Sequence, residues 1–159
     1  MEQRVEENRF KRTEFAFVKY TVQFCIFGFF FCAVPLYLLL AIQSIFDMFL
    51  HNCVQSMRLT WCLCLFGCIL TPLLFNLHLK RKEVYSNQLL KKQLGLFNAL
   101  TLTFIQGALG IFSSDPQFLC YGTDGQNGLE LIFNAWCALP ILILISYYFK
   151  TLNIIAEFS

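Results

Sequence analysis

The residues of this chain best equipped for chemistry are its eight cysteines. What a thiol can do depends on where it sits. Cys25, Cys32, Cys62, Cys64, Cys68 and Cys137 fall inside or at the edge of apolar runs, where cysteine packs as a small, soft hydrophobe. Cys53 and Cys120 lie in polar connections instead. They form a disulfide if their compartment oxidises thiols and their Cα atoms approach within about 7 Å. Otherwise they are two free thiols, and spacing alone leaves both states open.

A redox enzyme is the sharper reading of the same residues. Four-helix thiol oxidoreductases of the vitamin K epoxide reductase kind place a C-x-x-C pair near a membrane face. Here the pattern is Cys62-Leu63-Cys64, followed by Cys64-x-x-x-Cys68. On a helix, C-x-C sends its two thiols about 200° apart, so packing cysteines are expected. The redox alternative, with Cys62 and Cys64 working beside Cys53 and Cys120, stays open as the enzymatic rival.

Other chemistry has fewer candidates. His51 and His78 flank an apolar stretch and are expected on opposite sides of a bilayer, so they do not share a metal ion. Coupling to protons or sodium needs ionisable groups at membrane depth, where they are costly and usually functional. The apolar runs carry none near their centres, and Asp47 and Glu130 fall at their ends. No catalytic residue, cofactor or metal is expected.

These residues are set among long apolar segments. From Thr21 to Ile42 the chain has twenty-two residues without a charge, about 33 Å of helix, the thickness of a hydrocarbon core. Such a segment has no polar face to turn to water. Three similar runs follow, and the spans are expected at about 21–42, 59–79, 94–112 and 131–149. Only 14% of the residues are charged, against about 25% in ordinary soluble domains, too few for a water-exposed surface. The expected fold class is all-α: a polytopic membrane protein of four transmembrane helices in an antiparallel bundle.

Around the 21–150 bundle, residues 1–20 form a charged leader expected as a short surface helix, and 151–159 a short tail. The amino terminus does not read as a cleavable signal peptide, since its charges are mixed and no A-x-A site follows the apolar run. Pro35, Pro72 and Pro140 fall within spans, and a bend is expected at Pro35. Residues 47–58 read as a short connection, 78–93 as a basic connection and 113–130 as the longest loop, punctuated by Pro116, Gly122, Gly125 and Gly128.

Charge sets an expected orientation. With four spans, Arg4, Arg9, Lys11, Arg12, Lys19, Lys80, Arg81, Lys82, Lys91, Lys92 and Lys150 share one side, and only Arg58 lies on the other. The positive-inside rule then puts both termini in the cytoplasm or mitochondrial matrix, without naming the membrane. Lys80, Arg81, Lys82, Lys91 and Lys92 serve this orientation and are also candidates for contact with anionic lipid.

Helix packing accounts for most remaining polar residues. Gly107 and Gly110 beside Gln106 offer a surface that permits close backbone approach, and Gln106, Asn98 and Asn134 can hydrogen-bond between helices. This suits contact within one bundle or with another subunit equally. The four-span plan with two outer loops resembles tetraspanins and claudins in outline. It lacks the C-C-G of the former's large loop and the W…C…C pattern of the latter's first loop, so the resemblance implies architecture only. The expected role is a non-enzymatic accessory or structural subunit of a larger membrane complex. Its partners are then the bilayer, other membrane subunits and anionic lipid, with no nucleic acid. A small homo-oligomeric pore is the second alternative.

Overall fold

The computed structural model describes residues 15–81, 86–113, 115–121 and 129–157, and these are almost wholly helical. In chain order they form α1 (Phe17–Phe30), α2 (Ala33–Leu50), α3 (Cys53–Arg81), α4 (Asn87–Ser113), the short α5 (Pro116–Tyr121) and α6 (Leu129–Glu157). α2, α3, α4 and α6 are each long and apolar enough to cross a membrane. The protein is a polytopic four-span membrane bundle. Its first candidate span is α2, Ala33–Leu50, later in the chain than the expected 21–42, and α1 is a shorter apolar helix before it. Of the leader expected at 1–20, residues 1–14 lie outside the described residues and the last four, 17–20, open α1; Lys82 also lies outside the described residues.

Helix α4 is the centre of the bundle and packs against α1, α2, α3 and α6. Of its apolar window 61% is buried, against 11% for α2 and 17% for α3. Its sequence is arranged inside out. Asn98, Thr101, Thr103, Gln106, Gly107, Ala108 and Gly110 are buried, while Leu96, Leu100 and Phe112 are exposed. That is the arrangement hydrocarbon imposes, because lipid offers polar side chains no hydrogen-bond partner.

The expected bend in the first span is a break. α1 stops at Phe30 and α2 begins at Ala33, with Pro35 in its first turn. Proline has no N–H for the Phe31 carbonyl and its ring crowds that group. The carbonyl instead accepts from the Val34 N–H at 3.1 Å, three residues on. The break redirects the chain, since α1 packs chiefly against α6 and α2 against α3. Helices α3 and α6 continue through Pro72 and Pro140.

The connections are shorter than hydropathy implies. Only His51 and Asn52 separate α2 from α3. His51 is left-handed (φ 49°) and closes α2 through its N–H to the Asp47 carbonyl. The Asn52 side chain accepts the Gln55 N–H at 3.2 Å and so starts α3. The expected 47–58 connection is thus mostly helix, because a left-handed residue and an Asx cap reverse the chain in two residues. In the expected loop 113–130, Pro116 opens α5, with the Asp115 carboxylate accepting the Gln117 N–H at 2.9 Å.

Glycines set the α3–α4 crossing. A Cβ on Gly110 would fall 2.6 Å from Trp61 Nε1, and one on Gly67 would fall 2.6 Å from the Phe104 ring. One on Gly107 would collide with Cys64 Sγ and lie 2.9 Å from Leu39. Three helices therefore meet at Gly107 with no room for a methyl group. Gly107→Ala is expected to destabilise the detergent-solubilised protein by about 1–3 kcal/mol through overpacking. Combining it with Cys64→Gly should recover much of that loss in a double-mutant cycle read by thermal unfolding.

Candidate functional site

Two groups of chemically capable residues are held in defined geometry: a buried polar cluster near one end of the bundle, and the cysteines. The polar cluster joins three helices. Thr21 on α1 donates its hydroxyl to Ser146 Oγ on α6 at 2.8 Å. The Asn98 side-chain amide on α4 donates to Thr21 Oγ1 at 3.2 Å. All three residues are fully buried. They sit one layer inside an aromatic cluster in which the Phe75 and Phe97 rings stack at 4.3 Å and Phe149 meets both edge-on. On the other side is an apolar layer of Cys25, Leu102, Ala138, Leu139 and Leu142. Shielded from water on both sides, these hydrogen bonds fix the rotation of α1, α4 and α6 about their axes.

Asn98 was legible as a polar residue within an apolar run, but Thr21 and Ser146 were not. An isolated Ser or Thr in a transmembrane helix ordinarily bonds its own carbonyl four residues back. Thr60, Thr103 and Thr151 do so here, to Ser56, Ala99 and Tyr147. Nothing local marks Thr21 and Ser146 as hydroxyls that cross between helices.

Towards the other end, the Ser113 hydroxyl donates to Asn134 Oδ1 at 2.7 Å and ties α4 to α6. Gln106 is fully buried on the core face of α4. The residues singled out for packing, Asn98, Gln106, Gly107, Gly110 and Asn134, all face the interior of this bundle. Asp47 stands 3.2 Å from the Ser56 hydroxyl at the α2–α3 corner. Glu130 lies in the first turn of α6, where a negative charge complements the helix dipole.

The cysteines separate into two classes. Cys53 and Cys120 form a disulfide with Cα atoms 6.0 Å apart, which joins the α2–α3 corner to α5. The Gln43 side-chain amide donates towards Cys53 Sγ at 3.5 Å. Cys62 is exposed on the outside of α3, whereas Cys64 is fully buried against Gly107. Nine and eleven residues separate Cys62 and Cys64 from Cys53 along one helix, about 14–17 Å of rise. The structure therefore does not bring these two thiols together with the disulfide. Thiol–disulfide exchange requires a thiolate to attack a sulfur directly, and this arrangement offers no such approach.

His51 and His78 lie at opposite ends of α3. Among the described residues, no group of three or more His, Cys, Asp or Glu is placed to hold a metal ion. Of the basic candidates, Lys80, Lys91 and Lys92 are exposed, and Arg81 ends α3. Lys91 Nζ stands 5.1 Å from the centre of the Tyr20 ring, and Lys150 Nζ stands 5.6 Å from that of Tyr147.

Comparison with known protein families, characterised proteins and solved structures found no match to this chain.

Two expectations follow. The Thr21→Val and Ser146→Ala variants should show a coupling of about 0.6–1.7 kcal/mol in a double-mutant cycle, the range of interhelical hydrogen bonds in membranes. Reduction, or Cys53→Ser, should slow migration in non-reducing electrophoresis and lower stability by at most about 4 kcal/mol, the loop-closure value for a 67-residue separation. The surrounding thiols should label identically before and after reduction.

Proposed function

We propose that this four-span protein is a non-enzymatic accessory or structural subunit of a larger membrane assembly, with both termini on the cytoplasmic or matrix side. The observation that carries this reading is the uneven use of its helices. The small and polar surface of α4 is consumed inside the bundle, whereas α2 and α3 leave a continuous apolar wall outside it. Along α3 this wall includes Leu59, Leu63, Phe66, Leu70, Leu73 and Leu77, all exposed. A wall of this kind accepts the face of a neighbouring transmembrane helix as readily as acyl chains.

Further support comes from the interior, where Gly67, Gly107 and Gly110 are closed against Phe104, Cys64 and Trp61. Cations gathered at one end favour the orientation given.

Photo-crosslinking side chains placed at Phe66 and Ile69, in the native membrane, test the proposal against the same probe at Leu144 on α6. All three positions are well exposed. Discrete heteromeric adducts at the two α3 positions, and none at Leu144, are expected. Adducts with lipid alone at every position would remove the subunit reading, and adducts with a second copy alone would replace it with a homo-oligomer.

A further inference from the structure

Two stripes at the basic end of the bundle face each other without closing. On α1, Tyr20, Gln23, Phe24 and Phe27 follow the i, i+3, i+4, i+7 spacing of one helix face. On α4, Lys91, Leu94, Gly95 and Asn98 do the same. Between them lies a cleft of about 230 Å³. Among the described residues the other glycines are filled to contact, but at Gly95 an added Cβ would meet nothing within 4 Å. The cleft is thus a gap in packing where two neighbouring helices run alongside one another.

Its lining is graded. At the mouth, the Lys91 ammonium is held over the Tyr20 ring, 5.1 Å from its centre. Gln23 lies three residues deeper than Tyr20, about 4.5 Å of helix rise. It is exposed and hydrogen-bonded to none of the described residues. A primary amide at the edge of hydrocarbon needs a polar partner, since lipid tails supply none. Deeper still, the walls are Phe24, Phe27 and Leu94.

Cation, amide and apolar channel, in that order from the interface inward, match phosphate, ester and acyl chain. We infer that this α1–α4 cleft binds one anionic phospholipid. Its phosphate pairs with Lys91, an ester carbonyl accepts from the Gln23 amide, and one acyl chain lies between Phe24, Phe27 and Leu94 over Gly95. Neighbouring Lys92 is exposed and does not line the cleft, so the inference assigns to Lys91 alone what a merely basic surface would share among its lysines. It rests on the bundle and not on the subunit role.

The test uses the full-length chain, delipidated in mild detergent and followed by native mass spectrometry. The probes are dioleoyl phosphatidylglycerol, dioleoyl phosphatidylcholine and glycerol 3-phosphate. The first phosphatidylglycerol should bind about fivefold more tightly than phosphatidylcholine, the increment of one interfacial lysine. Lys91→Gln should abolish this preference while Lys92→Gln keeps it. Gly95→Leu, which favours the helix and fills the cleft, should lose the tight lipid while its unfolding temperature holds at or above that of the parent. Equal binding of the two lipids would overturn the inference. So would equal effects of the two lysine variants, retention of the lipid by Gly95→Leu, or glycerol 3-phosphate binding as tightly as the intact lipid.

Discussion

Hydrocarbon supplies no hydrogen bonds, so polar side chains on a membrane-embedded helix are drawn to the inside of the protein. The arrangement of this bundle follows from that constraint acting on α4. The helix places Asn98, Thr101, Gln106 and the small residues Gly107, Ala108 and Gly110 on its buried side. Four other helices pack around it because each supplies something that side lacks. Helix α1 brings Thr21, α6 brings Ser146 and Asn134, α3 brings Cys64 and Trp61 into the glycine hollows, and α2 brings Leu39. The hydrophobic effect cannot sort these helices, since lipid tails are as apolar as their leucines. Close contact and hydrogen bonds must do so.

The break near Pro35 makes this possible for α1 and α2. A straight helix lies along one neighbour. By ending α1 at Phe30 and restarting at Ala33, the chain packs α1 chiefly on α6 and α2 chiefly on α3, with both also touching α4. The freed Phe31 carbonyl is reclaimed by Val34, so this acceptor is not left bare in the membrane. Proline thus works as a change of partner. Pro72 and Pro140, within α3 and α6, introduce no such change, and nothing in their immediate sequence distinguishes them.

Much of this was legible in the sequence because its strongest signals are long ones. Four apolar runs, the concentration of small and amide residues in the third, and the polar setting of Cys53 and Cys120 are all properties of extended segments. Less legible were features decided by one or two residues. The left-handed His51 and the Asn52 cap turned an expected connection of a dozen residues into a two-residue corner. Thr21 and Ser146 gave no sign of their pairing, because a hydroxyl that satisfies itself and one that reaches a neighbour look alike in sequence. Gly95 and Gly107 are likewise the same residue with opposite roles. One faces open space and the other a sulfur atom, and only the positions of the neighbouring helices separate them.

The two ends of the bundle are held by different means, and this follows from what each end has available. At the basic end, aromatic rings fill the space between helices, with Phe75, Phe97 and Phe149 in mutual contact and Phe15 and Phe17 packed beside them. Dispersion between rings is additive and tolerates small displacements. At the other end the segments between helices are polar and offer little to pack, and there a covalent bond joins the α2–α3 corner to α5. Between the ends, the glycine contacts allow almost no movement of α3 against α4.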